Sequence, residues 1–423
     1  MPGPGNARML SEQRVDGRKA AGGVQGEHGI RGGEQLGLRA YNKRMILSLI
    51  RQNGALPKAE IARLTGLSAQ AVSVIVNGLL QERLVRKEKK VRGRVGQPHT
   101  PIALNADGVF SLGVKIGRRS LELMLVNFHG EAVEYRRFPY AAPRRKAVAA
   151  LLRGELAALL ENTEASQRGR IAGVGVALPG QLSGWSDVLG LKPADLLDWD
   201  EVDVAALVAE IAGLPVEVYN DATAACAAEM LLGGALAFST ALYIYVGTFI
   251  GGGIVLNGQL FEGIQGNAGA IGSMPVSARH GGQEQLIRHA SLYSLENRLR
   301  ADGLGELGAT DALPADPRTD AAFAAWRGEA AAPIAQAIAA AISIIDFEGV
   351  VIDAMLPRPQ LLALVEDVRS ALERLDRRGT SPFALRHGSI GPRARVSGAA
   401  ILPLIRQFSP DQQLLVKKVA GAA

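Results

Sequence analysis

Residues 58–80 read KAEIARLTGLSAQAVSVIVNGLL, and this stretch decides how the N-terminal part of the chain is organised. Its first residues predict a short helix up to Leu64, with Ile61 and Leu64 on the inner face. The next four, TGLS at 65–68, predict a tight turn with a glycine in its middle and Ser68 as the cap of a following helix. A short helix, a tight turn and a second helix form the pattern of a helix-turn-helix.

The second helix of this pattern is expected over residues 69–82, and a supporting helix is expected from Tyr41 to Asn53. Apolar residues recur along the 69–82 segment at i, i+3, i+4, i+7 and i+8: Val72, Ile75, Val76, Leu79 and Leu80. The outward positions are mostly small or hydrogen-bonding side chains, which can approach base edges in a DNA major groove: Gln70, Ala71, Ser73, Val74 and Asn77. We take Gln70, Ala71, Ser73 and Asn77, together with Lys58 and Ser68, as candidate DNA contacts.

A basic segment follows, because residues 83–94 hold seven Lys and Arg and one acidic residue, Glu88. Two strands, Leu84 to Lys87 and His99 to Leu104, would form a wing with Arg92, Gly93 and Arg94 at its tip. Gly93 permits the turn, and the two arginines suit a narrow minor groove or flanking phosphates. Three amphipathic helices could form a simple bundle, but helix-turn-helix, wing and charge together favour a winged helix-turn-helix that binds double-stranded DNA.

The charge of the chain is unevenly distributed. Residues 1–100 carry 18 Lys and Arg against 7 Asp and Glu, whereas the whole chain has a net charge of +6. A basic end on an otherwise mildly acidic chain raises the expectation of a nucleic-acid partner, since Lys and Arg displace counterions from phosphates. A solvated basic tail is the alternative that composition alone allows.

The composition also bears on the compartment. The longest apolar stretch, Ile334 to Ile345, is interrupted by Gln336 and Ser343, and the N-terminus has no apolar run after its charges. We therefore expect no membrane span and no secretory signal, and a cytoplasmic protein. The single cysteine, Cys226, excludes an internal disulfide framework and a zinc site built from cysteines.

Four segments are expected along the chain. Residues 1–38 contain ten glycines and no hydrophobic period, so we predict a disordered tail. The winged helix-turn-helix would occupy residues 39–94, and residues 95–108 would form the linker and the end of the wing. Residues 109–423 alternate strand-like and helix-like stretches and would form an α/β domain.

Within the α/β domain, the same order of elements occurs twice. Three strands (110–117, 121–128 and 133–138), a helix (146–161) and a strand (171–178) come first, then a strand (216–219) and a helix (222–232). Strands at 241–246 and 253–256, a long helix (321–345), a strand (350–354), a helix (361–375), a strand (383–385) and a terminal helix from Val396 follow. The repetition predicts two lobes with a cleft between them, lobe 1 at about 109–235 plus the C-terminal helix and lobe 2 at about 236–390.

Two stretches could carry chemistry, although the chain has neither a P-loop nor a strand-following G-x-G-x-x-G. Residues 247–253, GTFIGGG, lie between two strands; this glycine-rich element could cradle a phosphate or be a turn without a ligand. Asn220 and Asp221 stand where a buried strand ends and a helix begins. Asp221 could cap that helix, or it could accept a proton from a sugar hydroxyl while Asn220 donates to a neighbouring one.

The motifs together resemble the ROK family, which groups repressors, open reading frames and sugar kinases. They occur in the family's order over roughly residues 40–408: a winged helix, GVKIG at 113–117, VALPG at 176–180, NDA at 220–222, GT at 247–248 with GGG at 251–253, and GNAG at 266–269. The resemblance implies an actin-like ATPase fold of the sugar-kinase, RNase H-like type. The fused winged helix is similar to that of the family's transcriptional regulators of sugar metabolism.

The chain departs from the family's kinases at several positions. Where they carry an Asp and small residues that hold Mg²⁺ and approach phosphate, this chain has Lys115, Arg118 and Arg119. The family's sugar-binding Glu and His fall on Ala270 and Ser273. Its three zinc-binding cysteines and second sugar-binding Glu fall on Ala278, His280, Gln285 and Ile287, and the glycine turn near the adenine pocket becomes residues 353–357, DAMLP. We therefore expect no metal, no cofactor and no kinase activity, with Asp221 as a vestigial base.

A ligand-responsive regulator is the function that these observations favour. Candidate effector-binding residues are Pro179, Gly180, Asn220, Asp221, Gly247, Thr248, Asn267 and Ser273. The effector would be a neutral sugar or, given the three cationic side chains, a sugar phosphate, unless those cations merely form a solvated surface. We expect a repressor that acts as a homodimer or higher oligomer on a palindromic operator. An active sugar kinase with an added DNA-binding module, or a DNA-binding scaffold with an inert α/β domain, are the alternatives.

Overall fold

The structure is a computed structural model that describes residues 27–90, 99–180, 199, 202–233, 238–278, 281–304, 313 and 316–410, with side chains from residue 37 onward. Residues 43–410 form one compact unit. Of the other unit, residues 1–42 and 411–423, only residues 27–42 are described. These residues are the first part of a helix.

The N-terminal module has the predicted order of elements. Its helices are α1 (Glu27–Asn53), α2 (Lys58–Thr65) and α3 (Ala69–Gln81), and its strands are β1 (Val85–Lys87) and β2 (Ile102–Leu104). The start of α1 at Glu27 corrects the prediction of disorder for residues 27–38. Good helix formers (Glu, Gln, Leu, Arg) lie among the glycines of that segment, and extending an existing helix avoids the cost of nucleation. The rest of the predicted tail, 1–26, lies outside the described residues.

The helix-turn-helix geometry follows from local hydrogen bonding. Ser68 caps α3, its Oγ accepting a hydrogen bond from the Ala71 N–H at 3.2 Å, and Gly66 takes the left-handed conformation (φ 70°) that ends α2. Ile61 is fully buried, as predicted, but Leu64 is 43% exposed. The prediction for Leu64 is wrong because α2 ends one residue later and the chain bends by 118° into α3, which leaves this side chain uncovered.

The wing strands β1 and β2 pair antiparallel, with Val85 opposite Leu104. The wing tip, residues 91–98, lies outside the described residues, and so does the prediction for Arg92, Gly93 and Arg94. The predicted linker contacts the N-terminal module, since the Asn105 side chain donates a hydrogen bond to the Arg83 carbonyl at 2.8 Å.

Two five-stranded sheets form the α/β domain, and both have three antiparallel strands followed by two parallel ones. The lobe 1 sheet runs β5-β4-β3-β6-β7 and contains β3 (Phe110–Ile116), β4 (Ser120–Val126), β5 (Ala132–Pro139), β6 (Ile171–Leu178) and β7 (Val216–Asn220). Its helices are α4 (Arg145–Asn162), α5 (Ala165–Arg168), α6 (Val204–Ala212) and α7 (Asp221–Leu232). The strands and helices predicted for this part of the chain are thus present, with their ends within one or two residues of the prediction.

The lobe 2 sheet runs β10-β9-β8-β13-β14. Its strands are β8 (Ala241–Val246), β9 (Ile250–Leu256), β10 (Gln259–Phe261), β13 (Gly349–Ala354) and β14 (Ala384–His387), with a separate hairpin of β11 (Pro275–Ser277) and β12 (Gln283–Gln285). The helices of lobe 2 are α8 (Leu286–Ala290), α9 (Leu292–Ala301), α10 (Pro317–Ile342) and α11 (Arg358–Glu373). The last helix, α12 (Ala394–Phe408), returns to the lobe 1 sheet. The repeated strand order confirms the two-lobed architecture.

Most of the glycine-rich element is strand, which corrects its interpretation as a turn. Gly251 and Gly253 lie within β9 because nothing larger fits there: a Cβ on Gly253 would lie 2.5 Å from the Cβ of Cys226, and one on Gly251 would lie 2.8 Å from the Cβ of Ala222. These glycines therefore let β9 pack directly against α7. Only residues 247–249 turn the chain.

Helices α7 and α12 pack closely against each other beside the lobe 1 sheet. A Cβ on Gly398 would lie 1.7 Å from the Ala224 carbonyl oxygen, so the two helices touch through their backbones. The fully buried Glu229 of α7 accepts hydrogen bonds from Ser389 and Ile390, in the segment between β14 and α12. Among the described residues, no single helix is long and apolar enough to cross a membrane; α2 and α3 pass by length and composition only when taken together as a bent pair.

Candidate functional site

A cavity of about 630 Å³ opens between the two lobes, a size usual for small-molecule sites. Six of the predicted effector residues line it: Pro179, Gly180, Asn220, Asp221, Asn267 and Ser273. They come from the carboxyl end of β6, the junction of β7 and α7, and the segment after β10. Such an edge, where strands end and a helix begins, is a common position for ligand sites in α/β proteins.

Gly247 and Thr248, the other two predicted effector residues, do not line the cavity. Their carbonyl oxygens accept hydrogen bonds from the first N–H groups of α9, from Leu292 at 2.9 Å and from Tyr293 at 3.1 Å. The Thr248 residue is 6% exposed. The backbone carbonyl groups of this turn are therefore hydrogen-bonded to the start of α9.

The junction of β7 and α7 places a capping residue beside a carboxylate. Asn220 is the cap, because its Oδ1 accepts a hydrogen bond from the Ala222 N–H at 2.9 Å. Asp221 is the first residue of the helix, and its Oδ2 accepts a hydrogen bond from Arg395 Nη1 at 3.3 Å. The capping role considered for Asp221 thus belongs to Asn220, and Asp221 is engaged in an ion pair.

Arg395 lies at the start of α12 and is 5% exposed. Its guanidinium lies over the Tyr245 ring at 5.1 Å and contacts Met355 Sδ at 3.3 Å. Burial alone would lower the pKa of Arg395, but Tyr245, Asp221 and Glu122 together raise it above its ordinary value. Asp221 therefore faces a permanent positive charge.

The three cationic residues in the β3–β4 segment are not a solvated surface, which corrects one of the alternatives considered for them. Lys115 is 3% exposed, and its Nζ donates to Glu122 Oε1 at 2.8 Å and to Ser120 Oγ at 3.0 Å. Burial lowers the pKa of Lys115 to about 8, partly offset by Glu122. Lys115 does not line the cavity. The Glu122 carboxylate balances its charge behind the cavity wall.

The other two cations reach across to lobe 2. Arg118 lines the cavity, and its guanidinium lies over the Phe249 ring at 4.1 Å, a cation–π contact. Arg119 pairs with the buried Glu296 of α9 at 3.1 Å and donates to the Ala141 carbonyl at 2.7 Å. Where the kinases of the resembled family would hold phosphate and Mg²⁺, this chain joins its two lobes by side-chain contacts.

The positions that match the sugar-binding and zinc-binding residues of the kinases have different surroundings in this structure. Ala270, Ser273 and Ile287 line the cavity, whereas Gln285 lies in β12 and is exposed. His280 is outside the described residues. Among the described residues, no group of three or more His, Cys, Asp or Glu is placed to hold a metal ion.

Several cavity residues were missed by the sequence reasoning. They are Leu178, Val218, Tyr219, Thr223, Tyr245, Glu262 and Gln265, among others. Arg395 was also missed, because the terminal helix was expected from Val396 and begins two residues earlier, at Ala394. One signal could have found it: Arg395 and Arg406 are the charged residues within the mostly apolar stretch 394–408, and a charge in an apolar helix needs a partner.

The candidate DNA-reading face lies on α3. Gln70 and Asn77 are exposed, and Ala71 and Ser73 are half-buried. Lys58 Nζ lies 3.1 Å from both Ser73 Oγ and Asn77 Oδ1. The predicted DNA contacts at Lys58, Ser73 and Asn77 therefore form one hydrogen-bonded group, and Ser68 lies at the start of the same helix.

Comparison with known proteins agrees with this architecture. Residues 111–405 match the ROK family, and residues 41–94 match the MarR family. The chain belongs to the ROK family. The resemblance expected from the motifs is thereby confirmed.

Curated relatives of this ROK protein include regulators. It is 28% identical to the uncharacterized protein y4fQ of Sinorhizobium fredii, over 87% of this chain and 92% of that one. It is 28% identical to a putative xylose repressor of Caldicellulosiruptor sp., over 56% and 59% of the two chains, and 24% identical to the xylose repressor of Bacillus subtilis, over 57% and 62%. The matches thus span about three fifths of the xylose repressors.

Solved ROK structures share the fold. A ROK family transcriptional regulator, described as a homologue of the E. coli MLC protein, superposes with a TM-score of 0.64 at 20% identity, over 90% of this chain and 99% of the other. A ROK glucokinase from Streptomyces griseus, solved with glucose and AMPPNP, gives 0.53 at 21% identity, over 69% and 98%. A winged helix followed by a two-lobed actin-like domain is the fold of this chain.

Proposed function

We propose that this ROK protein is a DNA-binding transcriptional repressor of sugar transport or catabolism genes, controlled by a sugar or sugar derivative bound between its lobes. The observation that carries the proposal is the face of α3 on which the exposed side chains of Gln70 and Asn77 can meet base edges, in the same chain as an interlobe cavity. The similarity of the chain to xylose repressors supports this assignment.

DNA recognition is assigned to two surfaces. On α3, amide and hydroxyl side chains provide the donors and acceptors that read a major groove, with Lys58 positioned between Ser73 and Asn77. On the wing, Arg86 and Lys87 of β1 are exposed, and the sequence adds Arg92, Gly93 and Arg94 at the tip. These cations would contact phosphates or a minor groove.

The effector would be linked to DNA through a shared core. Ile46 and Ile50 of α1 pack in the same buried cluster as Phe128 and Ile401 of the α/β domain, and Arg51 donates to the Phe128 carbonyl at 2.8 Å. A movement of lobe 1 on effector binding would therefore also move α1 and, through it, the reading helix. A homodimer would place two such helices on a palindromic operator one helical turn apart.

The alternative, an active sugar kinase, is not favoured by the site. Where the family's kinases have a metal-binding Asp and small residues that approach phosphate, this chain has Lys115, Arg118 and Arg119, and Asp221 is paired with Arg395. Phosphoryl transfer depends on neutralising and positioning phosphate charge, which this arrangement does not favour. In a coupled assay over a panel of hexoses and pentoses with ATP and Mg²⁺, we expect turnover no higher than background.

The decisive experiment measures operator binding by the full chain. Fragments of the DNA upstream of its own gene and of the adjacent genes would be titrated by fluorescence anisotropy at fixed salt, with and without individual sugars. We expect one fragment to bind at least about 1,000-fold more tightly than random DNA and a sugar to change that affinity. Asn77→Ala should reduce the preference by about 1–3 kcal/mol, whereas Gln81→Ala, at the exposed end of α3, should keep it. A wild-type protein with no sequence preference on any fragment would contradict the proposal.

A further inference from the structure

Arg118 has an unusual environment for a charged side chain. The residue is 8% exposed and lines the interlobe cavity, and within the described part of the chain its guanidinium makes no hydrogen bond and no ion pair. Its guanidinium lies over the Phe249 ring at 4.1 Å. Burial lowers the pKa of Arg118 to about 10, while the nearby Asp221 carboxylate raises it and the Arg395 guanidinium lowers it further. Buried arginines are usually paired, since five N–H donors without an acceptor are costly to remove from water.

A second polar group beside the cavity is also unsatisfied. Thr223 lines the cavity and is 2% exposed, and its hydroxyl oxygen is buried without a hydrogen-bond partner in the described residues. Thr223 lies in the first turn of α7, a helix of 12 residues whose N-terminal end faces the cavity with Asp221 and Ala222. The positive end of a helix dipole favours an anion at this end.

The carboxylate that could neutralise Arg118 is already engaged. Asp221 pairs with Arg395 at 3.3 Å, so this pair adds no net charge to the wall. Glu262 is the other charged residue on the described cavity wall; it is in a different part of the sequence, near Glu217 and Arg406, and burial raises its pKa above the ordinary value. The Arg118 and Arg395 guanidinium groups therefore share one carboxylate, Asp221, which leaves one positive charge unbalanced at this end of the cavity.

We propose that the effector is an anionic monosaccharide, whose phosphate or carboxylate group binds Arg118 and the Thr223 hydroxyl at the first turn of α7. The hydroxyl groups of the sugar would then reach Asn220 and Asn267 along the cavity wall. This inference rests on the proposed function, because it specifies the ligand of the same cavity. Arg118 is then the side chain that distinguishes this chain from a regulator of neutral sugars.

The test compares neutral and anionic forms of the same sugars on the full-length protein. Glucose, xylose, glucose 6-phosphate, xylose 5-phosphate, gluconate, glucuronate and inorganic phosphate would be tested by calorimetric titration, by thermal shift and by release of operator DNA. We expect at least one phosphate or acid to bind more tightly than its neutral parent. The phosphate and carboxylate arms identify which anion the site accepts.

Two variants separate the role of Arg118 from general damage. Arg118→Gln should weaken binding of the anionic sugar by about 10- to 100-fold, because a hydrogen-bonded charge pair is lost, and should weaken binding of its neutral parent by a clearly smaller factor. Arg118→Lys should recover part of the loss. Arg327→Gln is the matched control, since Arg327 also lies over a phenylalanine ring, Phe323, but is outside the cavity wall. It should bind every probe as the wild type does.

The outcomes are distinct for the two proposals. A neutral sugar that binds at least as tightly as its anionic forms and still releases DNA would overturn the anion site and leave the proposed function standing, as would an anionic sugar that binds Arg118→Gln normally. If no sugar in the panel alters operator binding, both the anion site and the proposed control by an effector would be wrong.

Discussion

Arg395 Nη1 donates a hydrogen bond to Asp221 Oδ2 across 3.3 Å, and this bond connects the start of α12 to the start of α7. The side chains are 7% and 13% exposed, so the pair is largely shielded from water. The Asp221 carboxylate is therefore held by a structural ion pair with Arg395. The residue that a kinase would use as a proton acceptor here holds two packed helices in place.

Asp221→Asn should therefore destabilise the fold. Removing one partner of a buried ion pair leaves the other charge uncompensated, at a cost of about 3 kcal/mol. Arg395→Met together with Asp221→Asn should cost less than the sum of the two single changes, because neither charge is then left alone. Urea unfolding followed by circular dichroism measures the three free energies of unfolding. Additive effects would show that the two side chains do not interact.

Lys115 and Glu122 give a prediction with a definite pH dependence. Burial by itself raises the pKa of Glu122, but Lys115, with smaller contributions from Arg395 and Ser120, holds it at about 2. A carboxyl whose folded pKa lies below its unfolded value of 4.5 contributes stability above pH 4.5 and loses it as the pH falls towards 2. The pair thus stabilises the native state at neutral pH relative to acid.

Lys115→Met should reverse this sign. Without the ammonium group, burial dominates and the pKa of Glu122 rises, so its contribution is then lost as the pH increases through the raised value. The destabilisation relative to wild type should be larger at pH 7 than at pH 4, as measured by urea unfolding at both values. Lys43→Met, which removes a more exposed partner of Glu82, is the control and should show little change at either pH. Equal destabilisation at both values would exclude the proposed coupling.

Particular residues show which parts of the fold and of the site could be predicted from the sequence. Helix and strand periodicity located α3 and β6 to within a residue, because their apolar residues follow a regular spacing that the core requires. The same reasoning took GTFIGGG for a turn, since glycine alone does not reveal that Cys226 would approach from a neighbouring helix. The partners of Arg118 and Arg395 depend on side chains more than 100 positions away, and no local pattern carries that information.

The polar face of α3 should control which sequence is recognised. Gln70→Ala and Asn77→Ala would each remove a group able to hydrogen-bond a base edge, so each should reduce discrimination at one operator position by about 1–3 kcal/mol. Lys58→Met should have a broader effect, because Lys58 is bonded to both Ser73 and Asn77. Competition binding with single-base operator variants measures these changes. Variants that bind all operators with the wild-type order of affinity would show that α3 is not the reading helix.

The wing should contribute electrostatic affinity for DNA more than sequence specificity. Arg92→Ala with Arg94→Ala removes two cations, so binding to every operator variant should weaken in parallel and the slope of log K against log salt should fall by up to about 2. Titrations between low and moderate salt give this slope. Arg153→Ala, an exposed arginine of α4 paired with Glu210, removes one cation in lobe 1 and should leave the slope unchanged. An unaltered slope in the double variant would mean that the wing does not contact DNA.

The contact between α7 and α12 sets a final expectation, for stability and for ligand control together. Because a Cβ on Gly398 would lie 1.7 Å from the Ala224 carbonyl oxygen, Gly398→Ala must push the helices apart and should cost about 3 kcal/mol or more. Gly328→Ala is the matched control, since Gly328 lies inside helix α10 with nothing within 4 Å, and it should stabilise the protein by about 0.5–1 kcal/mol. If Gly398→Ala remains folded, its altered helix packing should also change how the effector shifts operator affinity, because α7 carries Asp221 and Thr223 at the cavity. Thermal unfolding and anisotropy titrations on the same preparations test both effects, and a Gly398→Ala protein as stable as wild type would contradict the close packing.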